Sequence, residues 1–99
     1  MKSQSIIITL CLSLFFLTSA QAGGDAVAGK EKSKACVSCH GTDGKGSVPL
    51  IGKKEDYLAK QLRAYKSGDL KNPMMNMMAA KLSDVDINDL AAHYADKSE

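Results

Sequence analysis

Beyond residue 22 this chain contains neither Phe nor Trp, and its large apolar supply amounts to 19 Val, Leu, Ile, Met and Tyr side chains. A domain of that size buries only about 60–65% of the surface its unfolded chain exposes, so a core this thin is marginal without a disulfide, a metal or a cofactor. Something besides side chains is expected to fill the middle.

Both phenylalanines, Phe15 and Phe16, fall in the apolar run from Ile6 to Leu17. With Lys2 ahead of it and Ala20-Gln21-Ala22 behind, that run reads as a secretory signal peptide, residues 1–22, cleaved after Ala22. As a retained membrane anchor it falls short of the ~20 apolar residues needed to span. Cys11 does not fit a lipoprotein site, because Leu10 precedes it and the apolar run continues past it. At 99 residues in all, the chain holds one small domain, residues 23–99, and no large enzyme core. A net charge of +2 argues against nucleic acid, whose binders carry a clear basic excess. Residues 23–54 carry a formal +3 and residues 55–99 a formal −2. This split is read as an ordinary solvated surface, at most weakly steering a partner.

The remainder is expected to be all-α. No stretch keeps a period-2 alternation, whereas helices are expected near 25–35, 55–67 and 83–96. The second places Tyr57, Leu58, Gln61, Leu62 and Tyr65 on one side and stops at Gly68. The third opens on a Ser83…Asp86 capping box and buries Ile87, Leu90, Ala91 and Tyr94. His93 lies off the centre of that stripe on a helical wheel and is expected to be partly exposed. Gly41 to Lys54, rich in Gly with Pro49, reads as loop. So does at least the first part of Asp69–Leu82, where Pro73 is expected to keep the methionine-rich segment from continuing as helix.

Cys36-Val37-Ser38-Cys39-His40 is the C-x-x-C-H signature of covalent c-type haem attachment. Two thiols at this spacing can each add to a haem vinyl group, which leaves the adjacent histidine beneath the iron. Such a disc would supply the missing core. Three other readings use the same residues: a structural disulfide, a thioredoxin-like redox pair and half of a zinc site. The redox pair lacks its βαβ context, the zinc site lacks further ligands beyond His93, and a bare disulfide leaves the core unfilled. Pro73-Met74-Met75-Asn76-Met77-Met78 offers four thioethers for the iron's other axial position, where sulfur favours Fe(II). The same cluster could be adaptable core filler or a Cu(I) site.

The ordered set of Gly23-Gly24-Asp25, Gly29, Cys36 to Gly41, Gly44, Tyr57-Leu58, Gln61-Leu62, Gly68, the methionines and Leu82-Ser83-Asp84 resembles class I c-type cytochromes. Asp86-Ile87 and Leu90 to Tyr94 extend the likeness, within that family, to the small bacterial group that includes cytochrome c553 and the single domains of the dihaem cytochrome c4. The resemblance implies three main helices around one covalently bound haem c, with Cys36 and Cys39 as thioethers and His40 as one axial ligand. Counting seven back from the Leu of the L-S-D motif, it implies Met75 as the other. It further implies Gly29 as the small contact between first and last helices, facing Leu90 and Tyr94. Leu50, Tyr57, Leu62 and Met78 are expected to pack on the haem. A Pro carbonyl in the family accepts the hydrogen bond from the haem-binding histidine, which makes Pro49 the candidate, although Pro49 and Gly52 are three apart where the family commonly has four.

The function so implied is a periplasmic, monomeric, monohaem electron carrier without substrate chemistry, exchanging electrons with a membrane or periplasmic oxidoreductase. A haem subunit of an oxidoreductase complex and a Cu(I)-binding Met/Cys protein are the alternatives.

Overall fold

A computed structural model describes residues 23–95; the expected signal peptide and its cleavage site lie outside them. The described residues form helices and no strands: α1 (Ala26–Lys32), a 3-10 turn (Ser33–Ala35), α2 (Val37–His40), α3 (Glu55–Ser67), α4 (Pro73–Ala80) and α5 (Asp84–Ala95). None is long and apolar enough to cross a membrane.

Local chemistry sets the helix ends. The Asp25 carboxylate accepts from the amides of Val27 and Ala28 and so caps α1. Gly68, at φ +91°, closes α3 in the left-handed region that a side chain would resist. Ser83 and Asp86 form the expected reciprocal box: the Ser83 amide donates to Asp86 Oδ2 at 2.9 Å and the Asp86 amide to Ser83 Oγ at 3.0 Å.

The methionine segment differs from expectation. Pro73 starts a helix instead of preventing one, because at the first helical position its missing N–H costs nothing and its fixed φ suits the turn. Asn72 caps that helix by accepting from the Met75 amide at 3.0 Å.

α1 and α5 cross in near backbone contact. A Cβ on Gly29 would stand 1.9 Å from the Asp89 carbonyl oxygen and 2.8 Å from His93 Cβ. The α5 groups nearest Gly29 are therefore Asp89 and His93, in place of the expected Leu90 and Tyr94; Tyr94 belongs to the core and Leu90 to the wall of a cleft. On its other side α5 packs Ile87, Ala91 and Tyr94 against Leu58 and Ala59 of α3. This two-sided burial explains why His93 is buried, at 2% exposure, and not partly exposed. A wheel centred on one stripe describes a helix with one covered face, whereas α5 has two. Gly29→Ala should cost about 2–3 kcal/mol, since backbone, not a movable side chain, occupies the space. The melting temperature of the holoprotein should fall by roughly 10 °C or more.

Charge fastens the same crossing. Lys32 Nζ lies 2.7 Å from Asp89 Oδ2 and 3.0 Å from Asp86 Oδ1, and Asp89 Oδ1 accepts from the Asp25 amide at 2.8 Å. The Ser83 amide and then Lys32 hold the Asp86 carboxyl down at about 2. Lys32 and then the Asp25 amide hold Asp89 below its ordinary value. Both shifts are downward, so their stabilising effect is complete above the ordinary carboxylate range near pH ~4 and is lost as pH falls toward the depressed values. Urea midpoints should drop between pH 5 and pH 2.5, and Asp89→Asn should flatten that dependence.

Candidate functional site

The five-residue motif lies where the 3-10 turn meets α2, directly over the interior. Cys36 precedes α2 and is half-buried, whereas Cys39 stands on its exposed side; no disulfide joins the two. The loop after α2 folds back onto it. The Gly46 amide donates to the His40 carbonyl and the Val48 amide to the Cys39 carbonyl, each at 2.9 Å. A Cβ on Gly46 would come within 2.4 Å of the Cys39 carbonyl oxygen, so only glycine allows this approach.

That register places the Val48 carbonyl 2.7 Å from His40 Nδ1. A carbonyl can only accept, so Nδ1 carries the proton and Nε2 keeps its lone pair for a metal. The acceptor is therefore Val48, not Pro49 as expected. The Val48 amide is tied to Cys39 and its carbonyl to His40, while Pro49, one residue on, is exposed. From α5, the Tyr94 hydroxyl donates to the Gly41 carbonyl at 3.2 Å, and the Tyr94 ring meets the His40 ring edge-on at 6.2 Å. Burial, with Cys36 nearby, pushes the Tyr94 phenol up to about 12, so it stays a neutral donor.

These groups border an open-mouthed cleft of about 170 Å³. Its walls include Cys36, His40, Leu50, Leu58, Gln61, Leu62, Tyr65, Met78, Leu82, Leu90, Ala91 and Tyr94. Of the expected site residues, Cys36, His40, Leu50, Leu62 and Met78 come together here. Cys39 and Met75 do not form its walls. Met75 is half-buried one turn before Met78, while Met74 and Met77 are more than half exposed. Tyr57 is not among these walls: it is 46% exposed, with Lys53 Nζ 5.7 Å from its ring centre. The inner stripe of α3 is Leu58, Gln61, Leu62 and Tyr65 at i, i+3, i+4 and i+7, and Tyr57 lies about 90° from its centre. Strict helical spacing would have chosen Tyr65 instead.

A broad apolar cleft with one thiol and one tautomer-fixed imidazole in its wall fits a flat, hydrophobic, iron-bearing group. It fits the other readings poorly. Burial pushes the Cys36 thiol up, opposite to the depressed value of a redox-active pair. Among the described residues no three His, Cys, Asp or Glu side chains gather as a metal site.

The family model for Cytochrome c matches residues 26–94. The chain belongs to the cytochrome c family. It is an electron-transfer cytochrome that carries covalent haem c, with Cys36 and Cys39 in the attachment motif. Cytochrome c-554(548) of Halomonas halodenitrificans is 46% identical over 79 residues, covering 73% of this cytochrome and 95% of that protein. Cytochrome c4 of Pseudomonas aeruginosa is 38% identical over 94 residues, covering 91% of this chain and 47% of that one. The crystal structure of reduced cytochrome c4 from Pseudomonas stutzeri superposes with a TM-score of 0.70 at 36% identity, over 76% of this chain and 46% of that one. The cytochrome thus spans about half the length of its c4 relatives and nearly the whole of the c-554(548) protein.

Proposed function

We propose that this cytochrome is an exported, periplasmic single-electron shuttle, released from its signal peptide after Ala22, with His40 and Met75 as the axial ligands of its iron. The observation that carries the reading is the 2.7 Å contact between His40 Nδ1 and the Val48 carbonyl in the wall of an apolar cleft. When bound, the haem supplies a one-electron Fe(III)/Fe(II) couple.

The protein's own residues do the rest. Cys36 and Cys39 tether the group so that it cannot dissociate. The Val48 carbonyl holds the imidazole in one tautomer and orientation. Leu50, Leu62, Leu90 and Met78 keep water from the cleft. The neutral, polarisable sulfur of Met75 favours the reduced metal and closes the position a substrate would need. In support of Met75, α4 turns it and Met78 to one side, three residues apart, and leaves Met74 and Met77 facing outward.

The partner would be a membrane or periplasmic oxidoreductase, met transiently by a monomer. One relative favours a second reading, a dedicated haem subunit: the thiosulfate dehydrogenase electron acceptor of Thiomonas intermedia is 36% identical over 69 residues, though these span only 32% of its length.

Expression with the native leader and a haem-attachment system tests the proposal. The periplasmic product should have the mass of residues 23–99 plus one haem that acidified organic solvent does not extract, and it should elute as a monomer. A haem-free mature mass would refute attachment. Stoichiometric copurification with a catalytic subunit would replace the free shuttle with the second reading.

A further inference from the structure

Asn76 sits among four methionines, yet its side chain faces none of the roles they suggest. Its Nδ2 donates to the carbonyls of Tyr65 and Leu70, each at 2.8 Å, and its Oδ1 accepts from the Asn72 amide at 2.9 Å. Two carbonyls on one side and an N–H on the other allow only one orientation of the amide. Tyr65 belongs to the last full turn of α3, Leu70 to the connector and Asn72 to the cap of α4. One side chain therefore joins the end of α3 to the start of α4. Tyr65 and Met78 are cleft-wall residues on these two helices, so this bridge sets how far the methionine-bearing helix stands from the opposite wall.

Resting on the His40/Met75 reading, we propose that Asn76 is a positioning residue: it fixes the height of α4 over the cleft and so presents one thioether to the iron while holding out competing ligands. The requirement is chemically narrow. Asp at this place cannot donate to two carbonyls, Ala leaves both without their donor, and Gln is a methylene too long for the same three contacts. Gly29, at the α1–α5 crossing and outside the cleft wall, is the natural comparison.

The test uses holoprotein carrying Asn76→Ala, Asn76→Asp or Asn76→Ser, with Gly29→Ala and Met75→Ala alongside. Asn76→Ser keeps one donor in case the first two do not accumulate. In the ferric state, Asn76 variants should weaken the sulfur-to-iron charge-transfer band and bind added imidazole about tenfold faster, as expected when partly buried hydrogen bonds holding a closed site are lost. Amide exchange should quicken across residues 73–80, and the reduction potential should fall. Gly29→Ala should lower thermal stability and leave the band and imidazole rate unchanged.

If Asn76 variants lose stability but keep the native band, potential and imidazole rate, Asn76 is only a structural staple and the proposal is overturned. If Met75→Ala loses the band while Asn76 variants retain it, the ligand assignment stands and the positioning role fails. If Met75→Ala keeps the band while Asn76 variants lose it, the positioning role stands and the ligand assignment moves to another methionine.

Discussion

Replacing both attachment cysteines, Cys36→Ala with Cys39→Ala, is expected to leave a chain without a cooperative thermal transition. The physical reason lies in what surrounds the cleft. Apart from alanines, the buried apolar residues among those described are Leu58, Ile87, Leu90 and Tyr94. Leu50, Leu62, Leu82 and Met78 are only partly covered, because the wall they form faces a gap. Without the tethered disc those side chains border water, and the surviving core is too small to offset the entropy of ordering some 70 residues. Circular dichroism should show reduced helicity and a broad melt. A sharp, native-like transition in the haem-free protein would show that the helices need no cofactor to pack.

Met75→Ala should have the largest effect on the redox centre. The potential should fall, the sulfur-to-iron band of the oxidised spectrum should vanish, and water or added small ligands should enter the opened position, because the soft ligand that favours Fe(II) is gone. Met74→Ala and Met77→Ala remove exposed side chains and should keep six-coordinate, low-spin iron. Met78→Ala should also keep it, at a stability cost of about 2 kcal/mol or more from the wall of the cleft. Met78 is the informative rival, since it already faces the cavity. Loss of the band in Met78→Ala with its retention in Met75→Ala would transfer the ligand role by one turn.

What could be read from the chain depended on whether a feature was local. The haem motif, the Ser83 cap and the Gly68 stop are decided within a few residues, and the structure has them where spacing puts them. The need for a cofactor was equally legible, since it follows from the shortage of large apolar side chains. Tertiary context decided the rest. His93 looked peripheral on a wheel because nothing in α5 alone shows that α1 covers its second face. Tyr57 looked internal because it adjoins Leu58, yet the neighbouring step of 100° carries it to the solvent. Pro73 signals either a stop or a start of helix, and Asn72 capping Met75 makes it a start.

At the site, side-chain chemistry was easier to read than backbone chemistry. Which carbonyl meets His40 depends on the register of the loop through Gly46 and Val48, and a shift of one residue moves the role from Pro49 to Val48. Asn76 gave no signal among the methionines, because its three partners come from positions 65, 70 and 72 and only meet once α3 and α4 have turned back on each other.

The claim that both axial positions are filled by the protein, so that the molecule passes electrons and does not bind a substrate, is tested most directly by adding carbon monoxide to the dithionite-reduced holoprotein at neutral pH. The absorption spectrum should remain that of six-coordinate, low-spin ferrous haem, with no shift of the Soret band. A rapid shift to a carbonyl spectrum would reveal an open or weakly held coordination site and contradict ligation by His40 and Met75.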